Sequence, residues 1–179
     1  MSLADAETEV TAALDELWYV VCELVVTVQE DRPAGSDLAV VDDLVERVSE
    51  LQAGVNEARE LAQRATAVTL PQQLDPIAAA LARADTYFWR ELRAHTPVAH
   101  LRAAARPRGA EWQAWRRSVE EGMSRCEAPL DKAGSAVRHA WHEVGELVSL
   151  GVGRPLSAPA RDLHDTHPSS ESESPRRSS

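Results

Sequence analysis

The chain has 179 residues, of which 44% are hydrophobic and 27% charged, and its net charge is −10. These values are typical of one globular domain of about 150 residues with an appendage. The two cysteines, Cys22 and Cys126, lie on apolar faces of predicted helices and show no Cys-x-x-Cys spacing, so we expect buried free thiols. The first ten residues are acidic where a signal peptide would be basic, so we expect a cytoplasmic protein.

The first predicted helix, residues 3–29, contains the most apolar stretch of the chain, LWYVVCELVVTV at 17–28. One seam repeats with heptad spacing: Leu14, Leu17, Val21, Leu24 and Val28. The other faces are apolar as well: Trp18, Tyr19, Val20, Cys22, Val25 and Val26. Such a helix must be buried on more than one side, either by later helices or by another chain. It is too short for a membrane span, which needs about 20 apolar residues.

An acidic stripe runs along the same helix, with glutamates every seven residues: Glu9, Glu16, Glu23 and Glu30. In the first half of the helix we expect this stripe to be the solvated face. The neighbours of Glu23 are apolar, and a buried unpaired carboxylate is costly. Glu23 is therefore expected either at a rim or paired with a cation.

The second helix follows the breaking sequence DRPAG at 31–35, with Ser36 or Asp37 as its cap. Its seam steps by three and four without interruption: Val41, Leu44, Val48, Leu51, Val55, Ala58, Ala62 and Ala65. More than three heptads of this kind are typical of a coiled coil. A short break between two long periodic helices predicts an antiparallel hairpin over residues 3–68.

Further helices are predicted at about 72–94, 97–105, 110–127 and 129–150. The last two are separated by Pro129, because a proline inside a helix kinks or breaks it; one bent helix with its joint near 127–130 is the alternative. The Ser- and Pro-rich segment 154–179 is predicted to be a disordered tail. The fold class is thus all-α: a bundle of four to six helices within 1–153, led by a long antiparallel coiled-coil-like hairpin.

Function is expected to be non-enzymatic, since the chain has no P-loop, G-x-G-x-x-G or G-x-S-x-G motif. We expect a protein–protein interaction or oligomerisation module, whose partner is another protein chain or a second copy. The predicted contact residues are Trp18, Val21, Val25, Val41, Leu44 and Val48, although core packing would use the same side chains. No cofactor, membrane or small-molecule substrate is indicated.

A nucleic-acid accessory role is the alternative, because residues 83–117 hold eight arginines against three acidic residues. These arginines are Arg83, Arg90, Arg93, Arg102, Arg106, Arg108, Arg116 and Arg117, interleaved with aromatic residues that can stack on bases. The overall negative charge opposes polyanion binding. The competing interpretation is that the arginines are solvated or paired with acidic residues of the first two helices.

A metal-binding bundle is the third hypothesis. His139 and His142 lie three residues apart on one predicted helix, and His95 and His100 lie near a turn. Di-metal bundles use Glu-x-x-His on each of two helices, and no second helix carries that pattern. Two histidines on a solvated face are the commoner situation, so no metal site is predicted.

Overall fold

The computed structural model describes residues 2–35 and 38–149, except for the side chains of 95–97 and 148. It contains five α-helices: α1 (Leu3–Gln29), α2 (Ala39–Arg64), α3 (Leu70–Tyr87), α4 (His95–Ala105) and α5 (Ala110–Ser149). The described ranges contain no strand. The prediction of an all-α bundle led by a long hairpin is confirmed. The predicted cap residues Ser36 and Asp37 and the tail 154–179 lie outside the described residues.

Four long helices form a closed bundle. In this bundle α1 packs against α2 and α5, α2 against α3, and α3 against α5, while α4 contacts α2 and α5. Both predicted heptad seams face the interior, where Leu17, Leu24 and Leu51 are fully buried. The third helix and α5 together cover the apolar surface that the α1–α2 hairpin leaves open. None of the described helices is both long and apolar enough to cross a membrane.

Local signals define the ends of the hairpin helices. At the start of α1, the Ser2 hydroxyl accepts a hydrogen bond from the Asp5 amide at 3.2 Å, and Asp5 Oδ2 accepts one from the Ser2 amide at 2.9 Å. This reciprocal capping box satisfies two amides that the helix itself leaves unpaired. After α1, Gly35 adopts a φ of 75°, which side-chain-bearing residues rarely adopt, and so completes the turn.

A π-helical turn, Phe88–Leu92, continues α3. The Arg93 amide donates to the Phe88 carbonyl at 2.9 Å, which is the five-residue spacing of a π-turn. Phe88 and Leu92 are both fully buried. Arg47 of α2 holds the outside of the turn by donating to the carbonyl and the carboxylate of Glu91.

The last helix differs from its prediction. A single helix spans Ala110–Ser149, with Pro129 inside it, which agrees with the one-helix alternative and corrects the division into 110–127 and 129–150. Pro129 has no N–H to donate to the Arg125 carbonyl, which costs the helix one hydrogen bond. The helix continues because Cys126 and Leu130, on either side of the proline, are both buried in the core.

Candidate functional site

The predicted contact residues lie in or against the core of the single chain. Val21, Val41, Leu44 and Val48 are buried, and Trp18 and Val25 are partly buried against them. Their apolar surface is therefore already covered within the folded chain, as the core-packing interpretation expects. A surface for another molecule has to be sought on residues that the bundle leaves open.

The outward face of α1 is such a surface. Tyr19 is 65% exposed and Val26 43% exposed, and the partly buried Cys22 lies between them. The three residues follow the three- and four-residue steps that place side chains on one helix face. We call Tyr19, Cys22 and Val26 the outward strip. It lines a shallow depression together with Glu23, Thr27 and Arg125.

Polar contacts to α2 border the strip on one side. Arg59 Nε lies 2.6 Å from Asp15 Oδ1, and the Arg59 guanidinium stacks over the Trp18 ring at 5.6 Å from its centroid. Gln52 Nε2 donates to Cys22 Sγ at 3.5 Å. These contacts cover Trp18 and leave its neighbour Tyr19 open to solvent.

The acidic stripe borders the strip on the other side, where it meets α5. Glu9 lies 3.5 Å from His139, Glu16 pairs with Lys132, and Glu23 Oε2 lies 3.6 Å from Arg125 Nη1. Glu9 and Glu16 remain on a solvated face, as expected, since 40% and 47% of their side-chain surface is exposed, but each also faces a side chain of α5. Glu23 is paired with Arg125, as one of the two expectations held.

The partners in α5 also recur every seven residues, in the reverse order that two antiparallel helices require. Sequence reasoning missed this row of partners on α5, although the seven-residue spacing of Arg125, Lys132 and His139 is visible in the sequence. The outward strip is thus an apolar surface between two borders whose carboxylates are already matched by cations. Such a surface can bind an apolar partner without leaving charges unpaired.

Three other large apolar residues are exposed: Val68 at 85%, Trp89 at 44% and Trp141 at 38%. Each lies on a different part of the fold: Val68 between α2 and α3, Trp89 in the π-turn and Trp141 on α5. Single exposed apolar residues are normal on a globular protein. Trp112 and Trp115, by contrast, are buried and pack edge to face, with ring centroids 5.6 Å apart.

The Arg-rich segment divides between two surface depressions. Arg83 and Arg90 line one on α3, whereas Arg93, Arg102 and Arg117 line part of a groove between the end of α1, α4 and α5. Four of the eight arginines form ion pairs: Arg83–Glu57, Arg93–Glu127, Arg102–Glu120 and Arg116–Glu120. The segment is thus not one continuous basic surface, and three carboxylates of α2 and α5 pair with four of its eight arginines.

Two further arginines of the segment bind within their own region. The Arg108 guanidinium stacks over Trp112 at 4.8 Å from the ring centroid, and Arg117 Nε donates to the Gln113 carbonyl at 3.3 Å. Within the described part of the chain, Arg90 and Arg106 have no ion-pair partner. Arg90 lies in the π-turn that continues α3, and Arg106 lies in the turn after α4.

The groove beside α4 has a volume of about 1100 Å³ and a mixed lining of four arginines and four acidic residues. Burial raises the pKa of Glu120, but hydrogen bonds from Arg102 and Arg116 outweigh that effect and lower it overall. Arg93 Nη2 lies 2.6 Å from the buried Oε1 of Glu127, at an angle that is not that of a hydrogen bond. The Arg102–Glu120 pair links α4 to α5, and the Arg93–Glu127 pair links the end of the π-turn to α5.

The histidines considered for a metal site, His139 and His142, face different carboxylates. His139 Nδ1 faces Glu9 of α1, and His142 Nε2 lies 3.3 Å from Glu146 one turn later. Among the described residues, no three His, Cys, Asp or Glu side chains come together in a way that could hold a metal ion. His100 is exposed on α4, and the side chain of His95 is outside the described set.

Comparison of the chain with protein-family models, with curated proteins and with solved structures returned no match.

Proposed function

We propose that the chain is a non-enzymatic helical module that binds another protein chain through the outward strip of α1. The observation that carries this proposal is the exposure of Tyr19 and Val26 one heptad apart on the outer face of α1. Tyrosine favours interfaces because it offers a large apolar ring with one polar group. The strip is the surface where two large exposed apolar residues share one face.

The bundle supports this role by holding α1 rigidly. Ion pairs and hydrogen bonds fix the helix to α2 on one side and to α5 on the other, so the strip is presented on a helix that does not have to fold on binding. A preorganised surface loses less conformational entropy on association than a mobile one. The free cysteines Cys22 and Cys126 are consistent with the cytoplasm, which keeps thiols reduced, as the expected location.

A photo-crosslinking amino acid in place of Tyr19 tests the proposal in the organism that makes the protein. We expect ultraviolet light to join position 19 to a protein chain, identified by mass spectrometry of the cross-linked peptide. The matched control carries the same amino acid at Val68, which is exposed and apolar but lies outside the strip. Equal yields at both positions would contradict the proposal.

The nucleic-acid alternative has weaker support, because four of the eight arginines in 83–117 form ion pairs with three carboxylates of the same chain. Nucleic-acid affinity depends on cations that are available to phosphates. In filter binding at low salt, we expect no retention of mixed-sequence RNA or DNA. Retention that falls steeply with added salt would favour the alternative.

A further inference from the structure

We propose that the groove between α3 and α5 binds a small organic cation, an amine with an apolar body. The groove encloses a cavity of about 300 Å³, lined by residues of both helices. Its lining consists of an apolar floor, small residues on the walls and two carboxylates at one end. Sites for small molecules are typically apolar clefts of about 300–1,000 Å³ with a few polar groups, and this cavity has that composition.

The floor of the cavity is part of the hydrophobic core. Leu81 of α3 and Leu130 and Val137 of α5 are core side chains, and each of them also lines the cavity. Trp141 lines the cavity too and is exposed. A ligand whose apolar body covers these side chains removes apolar surface from water, which favours binding.

Small residues keep the groove open. Ala82 of α3 and Gly134 of α5 both line it. A Cβ added at Gly134 would meet Arg138 of its own helix at 3.3 Å and no atom of α3 within 4 Å. A Cβ added at Gly54 of α2, by contrast, would contact Ala84 of α3 at 3.4 Å. The helices α2 and α3 are therefore closely packed at that point, whereas the space over Gly134 is open to a ligand.

Two carboxylates, Asp85 of α3 and Asp131 of α5, lie at the same end of the cavity. The ion pair between Arg93 and Glu127 shows that the two helices run antiparallel and which residues lie level with each other. Asp85 is the α3 lining residue nearest to Arg93 in sequence, and Asp131 follows Glu127 by one turn. Among the described residues, neither aspartate has an ion-pair partner. An ammonium group at this end would therefore face two carboxylates whose charge is unmatched.

The lining also contains a cation, Arg138, which does not cancel this charge. Arg138 Nη2 donates to Ser135 Oγ at 2.8 Å, and Ser135 is exposed and outside the lining. Arg138 follows Asp131 by seven residues, which is about 10 Å along the helix. Two carboxylates thus outnumber one guanidinium, and the net charge of −10 attracts cations over longer distances.

The length of the cavity defines the shape of the ligand. Asp131 and Trp141 are ten residues apart, which is about 15 Å along α5. An ammonium at the aspartates leaves room for an apolar chain over the floor and for a ring beside Trp141, where aromatic rings stack favourably. 4-Phenylbutylammonium has this form. 4-Phenylbutyrate has the same ring and a similar length but carries the opposite charge, so it is the matched control ligand.

NMR titration of the isotope-labelled full-length chain tests the site. We expect 4-phenylbutylammonium to shift the indole signal of Trp141 saturably, with that signal identified by its loss in Trp141→Phe. We expect 4-phenylbutyrate to bind at least about tenfold more weakly at low salt, because the aspartates repel its carboxylate. No saturable shift with the ammonium, or equal affinity for the two ligands, would overturn the proposal.

Two pairs of variants on the surface of the bundle test the position of the ligand. Ala82 and Ala79 are both exposed on α3, but only Ala82 lines the cavity. Ala82→Leu fills the cavity and is expected to weaken binding of 4-phenylbutylammonium at least about tenfold, whereas Ala79→Leu should leave it unchanged. Asp131→Asn is expected to weaken binding about two- to fivefold, as for the loss of an exposed ion pair, and Asp75→Asn, outside the cavity, should have no effect.

Circular dichroism checks that each variant is as helical as the parent chain. Binding that survives Ala82→Leu unchanged would place the ligand outside the groove and overturn the site. Binding that Ala82→Leu abolishes but Asp131→Asn and Asp85→Asn together leave unchanged would show a cavity without preference for cations, which overturns the proposed ligand.

Discussion

The two faces of α1 carry similar side chains and are used in opposite ways. Leu17, Val21 and Leu24 face the bundle interior and are fully buried, whereas Tyr19 and Val26 on the outside remain open. The two sets alternate within twelve residues of one continuous apolar stretch. Apolar character therefore does not decide burial here; what decides it is whether a neighbouring helix lies over that face. The inner face builds the fold, and the outer face is available for binding.

The sharpest way to test this difference is the same substitution on each face. Val21→Ala is expected to lower the free energy of unfolding by about 2–3 kcal/mol, because it removes two buried methyl groups and leaves a cavity. Val26→Ala is expected to change it by less than about 0.5 kcal/mol, as for most surface substitutions. Urea unfolding followed by circular dichroism measures both. Equal losses would mean that Val26 is buried in solution.

The two cysteines give a second comparison, between Cys22 on the outward strip of α1 and the buried Cys126 of α5. Burial raises the pKa of the Cys126 thiol to about 12, so very little thiolate forms there at pH 8. We expect a thiol reagent such as DTNB to label Cys22 in the native protein and both cysteines after denaturation. Rapid native labelling of the variant Cys22→Ser would contradict this assignment.

The same thiol predicts a direction of pH dependence. In the unfolded chain Cys126 ionises near its ordinary value of 9.0, whereas in the folded chain it keeps its proton until about 12. The unfolded state therefore binds fewer protons between these values, and the free energy of unfolding falls as the pH rises from about 9 towards 12. Denaturation curves at several pH values measure this fall, and the variant Cys126→Ala should lack this component.

Two glycines of α5 compare a position against α1 with an open one. A Cβ at Gly122 would lie 3.0 Å from Leu24 Cδ1, whereas a Cβ at Gly145 would meet nothing within 4 Å. Gly145→Ala is expected to stabilise by about 0.5–1 kcal/mol through helix propensity. Gly122→Ala should lose that gain, because the buried Leu24 side chain must move. Thermal denaturation ranks the two variants, and an equal gain in both would show that the inner contact is loose.

The smallest expected effect concerns the border between the two faces. A double-mutant cycle with Glu16→Gln and Lys132→Gln should give a coupling energy of about 0.2–1 kcal/mol that weakens with added salt, as for other exposed ion pairs. This coupling energy tests whether α5 packs on α1 in the register that places Lys132 beside Glu16. A coupling energy of zero at low salt would mean that the Glu16–Lys132 pair does not help to set this register.

The hairpin could be predicted from the sequence because its signal is local. The heptad steps from Val41 to Ala65 and from Leu14 to Val28 each define one apolar face without knowledge of the partner. The continuity of α5 could not be predicted in this way. The local effect of Pro129 favours a break, and only the burial of Cys126 and Leu130 on both sides shows why the helix continues.

The candidate site shows the same division. The chain by itself determined that α1 has a second apolar face and that its glutamates recur every seven residues, because both are properties of one helix. Tertiary structure alone decided that Trp18 is covered by Arg59, that the glutamates meet Arg125, Lys132 and His139, and that Tyr19 and Val26 stay open. The physical reason is that burial and charge pairing depend on the distance to residues far away in sequence, which no local pattern contains.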